Sequence, residues 1–184
     1  MLPPYPVAIA EPDPDWPRIA AAYAEQLLVL GPVLVGVHHI GSTSVPGLAA
    51  KPIIDLMPLV GDLGALDARR PDIVALGYAW HGEYGIPGRR FCTLDDAAGT
   101  RRAHLHFFEP GSPDVARHLA FRDYLRAHPA IAAAYAREKR HAARLHPDDS
   151  HAYNDEKDAW VRAAEAEALH WSAATNAGRQ AARP

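Results

Sequence analysis

The chain has 184 residues, 48% of them hydrophobic and 22% charged, with a formal net charge of −3. That length suits one domain with a core of its own. The charge balance excludes the basic footprint of a duplex nucleic-acid binder, but leaves room for local basic clusters around a small phosphorylated ligand.

The start, Met1 to Pro6, lacks the charged and apolar regions of a secretory signal, and no apolar run reaches the ~20 residues of a membrane span. Cys92 is the one cysteine, so no intrachain disulfide can form and a cytoplasmic location is expected. Arginine outnumbers lysine 16 to 3, and with abundant alanine this reads as the coding bias of a GC-rich bacterium.

Asp15 and Pro17 open a predicted helix whose apolar spacing runs from Ile19 to Leu30 and stops at Gly31-Pro32. Val33 to Ile40 reads as a strand, Gly41 to Lys51 as a loop, and Pro52 to Val60 as a nearly all-apolar strand buried on both faces. Asp62 caps a helix over 63–76, closed by Gly77. Residues 78–81 form a strand, and 89–94 with 103–109 form two strands of a hairpin. Three helices follow, over about 113–128, 129–145 and 150–169. The fold class is therefore α+β: a small mixed sheet with packed helices and a helical C-terminal portion. One domain spans 1–171, its sheet part about 1–110 and its helical part about 111–171, with 172–184 a flexible tail.

Three constellations can carry chemistry. Gly41-Ser42-Thr43-Ser44 follows a strand, where glycine allows close backbone approach and the hydroxyls can cradle phosphate oxygens; it also reads as a simple capped turn. Asp55 lies between Ile53-Ile54 and Leu56-Met57, and a buried carboxylate needs a partner or a cation. His104 and His106 share one face of a strand, as a metal or phosphate site or as a hydrogen-bonded polar face. Lys51 can neutralise phosphate, and the doublets Arg89-Arg90 and Arg101-Arg102 can clamp it, though one arginine of each doublet should face away. Tyr153 and Lys157, one helical turn apart, are further candidates against an ordinary packing role.

The run His39-Ile-Gly-Ser-Thr-Ser-Val-Pro-Gly-Leu-Ala-Ala-Lys-Pro-Ile-Ile-Asp55 closely resembles the signature of the GrpB family. The likeness continues through His104-Leu-His106, the stretch from His118 to Pro129, and Tyr153-x-x-x-Lys157, covering about residues 5–169. GrpB proteins are placed in the nucleotidyltransferase superfamily, and a GrpB-like domain also occurs fused to dephospho-CoA kinase. The resemblance implies a Gly-Ser turn that holds a triphosphate, at Gly41 and Ser42, and a metal-binding strand whose first carboxylate is Asp55. Met57 stands where the second carboxylate is expected, and histidine at 104 and 106 where a third would be.

The implied function is metal-dependent transfer of a nucleotidyl group from ATP to a small molecule, or activation of a carboxylate for amide formation. Asp55, His104 and His106 would be catalytic and metal-binding. Gly41, Ser42, Thr43, Ser44, Lys51, Arg89 and Arg90 would hold phosphates, with Arg101, Tyr153 and Lys157 as additions. Mg²⁺, Mn²⁺ or Zn²⁺ is the expected cofactor, with no duplex nucleic acid or membrane as partner. The alternatives are a non-catalytic nucleotide- or coenzyme A-binding regulatory module, and a hydrolase built on a His/Asp metal set.

Overall fold

The computed structural model describes residues 2–181. Helix α1 (Trp16–Gln26) passes into 3-10 turns over Leu27–Val33, kinked at Gly31 where φ is +59°, instead of continuing as α-helix to Leu30. The strands are β1 (Leu34–Ile40), β2 (Ile54–Val60), β3 (Ala79–Trp80), β4 (Arg90–Asp95) and β5 (Arg101–Phe107). Between β2 and β3 lie α2 (Leu63–Ala68) and α3 (Arg70–Ala75). Sequence periodicity predicts one helix there, but Pro71 lacks an N–H and its ring crowds the preceding turn, so the helix breaks at Arg69.

The C-terminal helices are α4 (Pro113–Ala127), α5 (Pro129–Leu145) and α6 (Ser150–Ala181). Pro113 and Pro129 stand at first helical positions, and the Ser112 hydroxyl accepts the Asp114 N–H at 3.3 Å. Helix α6 extends to Ala181, and residues 182–184 of the expected tail lie outside the described residues. Among the described residues, no helix is long and apolar enough to cross a membrane.

The protein is thus α+β, with a five-stranded sheet of order β1-β2-β5-β4-β3. Only β2 and β5 run parallel, and their register sets Asp55 opposite His104. Alternation then sorts the side chains. Ile54, Leu56, Ala103, Leu105 and Phe107 face α1, α2 and α3 in the main core. The opposite face is divided. Ile40, Met57 and Phe108 pack under Val115 of α4, while Asp55, His104 and His106 stay clear of that cluster.

The loop after β1 is clamped by the C-terminal helices. Val45 and Leu48 pack on Leu125 of α4 and on Tyr135 and Ala136 of α5. Arg126 donates twice to the Ser44 carbonyl, at 3.0 and 2.7 Å, Arg122 donates to the His39 carbonyl at 3.2 Å, and Lys139 donates to the Ala49 carbonyl. Leu105 lies fully buried on the central strand. Its replacement by alanine is expected to cost about 2–5 kcal/mol, read as a lower urea midpoint at unchanged far-UV spectrum.

Candidate functional site

Asp55 opens into a cavity of about 430 Å³ walled by the sheet, the loop after β1, and helices α5 and α6. That size suits a small-molecule ligand. Gly41 has φ +68°, and a Cβ there would overlap Asp55 Oδ2. Glycine is therefore required twice at this position, for its left-handed backbone and for the approach of the carboxylate.

The Asp55 carboxylate is hydrogen-bonded through Oδ1 to His104 Nδ1 at 2.9 Å, with His106 Nε2 3.6 Å from the same oxygen. Burial alone would raise its pKa; the two imidazoles reverse that and hold it well below the usual carboxylate range. One ligand atom from each of Asp55, His104 and His106 can lie within 4.8 Å of the others. His106 Nδ1 is buried with no hydrogen-bond partner. One carboxylate oxygen with imidazole nitrogens suits Mn²⁺ or Zn²⁺ directly, and suits Mg²⁺ only if the ligand brings further oxygens. The residues present fit a single cation. Met57, two residues along the same face, is fully buried in the apolar cluster under α4 and offers no second carboxylate.

Facing this acidic end are all three lysines of the chain. Lys51 Nζ lies 3.2 Å from the Tyr5 hydroxyl, between the Tyr5 and Tyr153 rings at 5.0 and 4.8 Å. Lys139 is 2% exposed and sits 4.5 Å from the centre of the Tyr135 ring, and Lys157 is 5.2 Å from that of Tyr153. Among the described residues every ion pair is made by arginine or histidine, and none of the lysines has a carboxylate within 4.0 Å. Burial first, then the neighbouring cations, pushes Lys139 down to about 7 and Lys51 down to about 8. Lys157 is lowered too, chiefly by burial. Buried ammonium groups without counterions make a site that a polyanion would complete.

Of the residues singled out from sequence, Gly41, Ser42 and Thr43 line the cavity, as do Lys51, Asp55, Arg89, both histidines, Tyr153 and Lys157. Thr43 is buried and its hydroxyl is engaged by His39 Nε2 at 3.0 Å, so it braces the loop. Ser44 is not brought to the cavity: it is buried, and its hydroxyl donates to the Gly41 carbonyl at 2.6 Å. Arg90 points away as well, because strand alternation turns it to Asp67, 2.7 Å from Nε and from Nη2. Arg89 lines the wall, its guanidinium donating to the Tyr84 and Glu83 carbonyls and lying over Phe91. Arg101 stands outside the cavity behind His104, 3.3 Å from its Nε2.

Sequence reading missed Tyr5, Tyr84, Tyr135 and Lys139, all of them lining residues. Lysine scarcity was a usable signal: in a chain that otherwise writes its positive charges as arginine, each of three lysines invites a reason. For Tyr5 and Tyr84 no local pattern exists.

The GrpB protein family model matches residues 6–167. UPF0157 protein YqkA of Bacillus subtilis is 45% identical over 149 residues, which is 81% of this chain and 43% of that protein. A dephospho-CoA kinase of Mycolicibacterium paratuberculosis is 31% identical over 194 residues, 92% of this chain and 48% of the kinase, so the chain spans less than half of either relative. Among solved structures, conserved protein GrpB from Enterococcus faecalis superposes with a TM-score of 0.84 at 38% identity, over 90% of this chain and 99% of that one. Cid1, solved with its short product ApU, superposes at 0.53 with 14% identity, over 74% of this chain and 43% of that one, a likeness of fold to a nucleotidyltransferase. By the extent of the family match and the identity of its relatives, the chain belongs to the GrpB family.

Proposed function

We propose that the protein is a metal-dependent nucleotidyltransferase that takes a nucleoside triphosphate, most simply ATP, and a small-molecule acceptor. The observation that carries this reading is convergence: three lysines without counterions and the Asp55–His104–His106 cluster open into one cavity. The positive end suits phosphates, and the acidic end suits the cation that accompanies them.

In this reading the Gly41-Ser42 turn brings the backbone close to the β- and γ-phosphates, and Lys51, Lys139 and Lys157 neutralise them. Tyr84 and Phe91, stacked at 5.2 Å, present aromatic surface to a nucleobase. A divalent ion, Mg²⁺ or Mn²⁺, would be held at Asp55 beside the histidines and would add positive charge against the α-phosphate. The acceptor's oxygen or nitrogen bonds to the α-phosphorus, the bond to the bridging oxygen breaks, and pyrophosphate leaves with the electron pair. The acceptor's proton passes to His106, whose pKa burial lowers, so that the imidazole is in the neutral form a base requires. With a carboxylate acceptor no proton moves in the first step. An amine would then attack the acyl carbon, the acyl–phosphate bond would break with AMP leaving, and the amine's proton would pass to His106.

A second reading, nucleotide binding without turnover, is favoured by one observation. The position of a second carboxylate is occupied by Met57, which packs the core under α4, and two-metal phosphoryl transfer relies on several carboxylates.

The two readings separate in a pyrophosphate-release assay with ATP, Mg²⁺ or Mn²⁺, and a panel of amine and carboxylate acceptors. Release is expected, and Asp55→Asn is expected to lower it by about 10²-fold or more. Tight ATP binding with no release under any metal would favour the binding module.

Affinity for a nonhydrolysable ATP analogue should also depend on pH. Lys139 and Lys51 have depressed pKa values near 7 and 8 when the cavity is empty, and bound phosphates raise them. Affinity is therefore expected to be level below pH 7 and to fall as pH rises from 7 towards 9. Lys139→Met should remove the earlier part of that fall and weaken binding about tenfold at pH 6.5, measured by titration calorimetry.

A further inference from the structure

We infer that His104 and His106 divide their work: His104 is a positioning residue that orients Asp55, and His106 is the imidazole left for the cation or the acceptor. The inference rests on the proposed nucleotide site for its setting, but its argument uses only hydrogen bonds within the protein.

A guanidinium can donate and cannot accept. Arg101 Nη1 lies 3.3 Å from His104 Nε2, so that nitrogen must present its lone pair. The proton of the ring then sits on Nδ1, which faces Asp55 Oδ1 at 2.9 Å and donates to it. Both nitrogens of His104 are thereby committed, one as acceptor and one as donor. To ligate a cation through Nδ1, His104 would have to give up its bond to Asp55; through Nε2, it would have to displace Arg101.

Arg101 is in turn anchored. It forms an ion pair with Asp95, its register partner across the β4–β5 pair, and its guanidinium lies 5.4 Å from the Tyr5 ring centre. The chain Asp95–Arg101–His104–Asp55 therefore runs from β4 across β5 to the carboxylate on β2, and each member fixes the next.

His106 differs on each count. Its Nε2 is 3.6 Å from Asp55 Oδ1, beyond hydrogen-bond distance, and its Nδ1 is buried without a partner. Oδ1 of Asp55 already accepts from His104, while Oδ2 is the oxygen turned towards Gly41. The arrangement assigns Oδ2 and His106 to the incoming ligand, and His104 to the support that aims Oδ2 at the Gly41-Ser42 turn. Supporting partners of this kind typically contribute ten- to a hundredfold to metal affinity.

Two measurements test the assignment. Long-range ¹H–¹⁵N correlation of the metal-free protein reads the tautomer directly. His104 is expected as the Nδ1–H form, unchanged when Zn²⁺ is added, and Arg101→Leu should move its Nε2 resonance. An Nε2–H tautomer, or loss of the Nδ1 proton on adding Zn²⁺, would overturn the inference.

The second is calorimetric titration with Mn²⁺ and a nonhydrolysable ATP analogue. In His104→Asn the amide nitrogen replaces Nδ1 as donor to Asp55, whereas His104→Ala removes it. His104→Asn is expected within about threefold of the parent, and His104→Ala about ten- to a hundredfold weaker. Equal losses in both would mark His104 as a ligand and overturn the inference. A parent protein that binds no nucleotide would count against the nucleotide reading alone, and the tautomer measurement would still decide this one.

Discussion

A carboxylate set into a sheet between apolar neighbours keeps its charge only if donors are built in beside it, and the parallel pairing of β2 with β5 builds them in. Asp55 and His104 are opposed in that register, and His106 follows two residues on. A shift of one residue would turn both histidines into the apolar core and carry Leu105 to the carboxylate. Register is thus coupled to chemistry: the alternation that buries Ala103, Leu105 and Phe107 against the N-terminal helices is the one that gathers the polar side chains on the other face. The site and the main core share one strand and cannot be altered independently.

The second constraint is the clamped loop. Its carbonyls at 44 and 49, and that of His39 at the end of β1, are bound by Arg126, Lys139 and Arg122 from α4 and α5, while Ser44 closes the turn on Gly41. Backbone acceptors buried between a sheet and helices need donors, and long basic side chains from the helical half supply them. This has a functional corollary. The bond that satisfies Ala49 also holds Lys139 at the cavity wall, and α6 brings Lys157 and Tyr153 to the same wall. The helical portion is therefore part of the cavity wall as well as a cover for the sheet, and the cavity's positive side comes largely from it.

Much of this architecture was legible from the residues. The strands stood out because β-branched runs were separated by glycine and proline, and the Gly41–Ser44 turn and Asp55 stood out because their residue types are costly or unusual where they fell. Strand periodicity placed His104 and His106 on one face, which the sheet bears out. What sequence could not give was depth and partner. Arg89 and Arg90 looked equivalent, yet Arg90 is spent on Asp67, 23 residues away, because helix α2 happens to lie against that edge. Ser44 and Ser42 looked equivalent as well, and only the fold of the turn separates them. The single expected helix over 63–76 failed for a local reason, since Pro71 outweighed the apolar spacing. Tyr5 joins the cavity through the path of the N-terminal segment, tied by the Tyr5 N–H to Ser150 and the Val7 N–H to Pro147; that is a tertiary fact with no local signature.

Met57 shows how packing can limit chemistry. Strand alternation puts residue 57 on the same face as Asp55, yet it is a fully buried methionine in the cluster that seats α4 on the sheet. An acid at that position would be left in an apolar contact and would destabilise the seat of α4, the helix whose arginines hold the loop after β1. The apolar residue and the clamped loop are therefore linked through the docking of α4. In the proposed reading, a cation at Asp55 would have His106 beside it and would take its remaining ligands from water or from phosphate oxygens. Phosphate oxygens would then share in holding the metal, and metal affinity would follow nucleotide affinity more closely than at a site with its own full set of carboxylates.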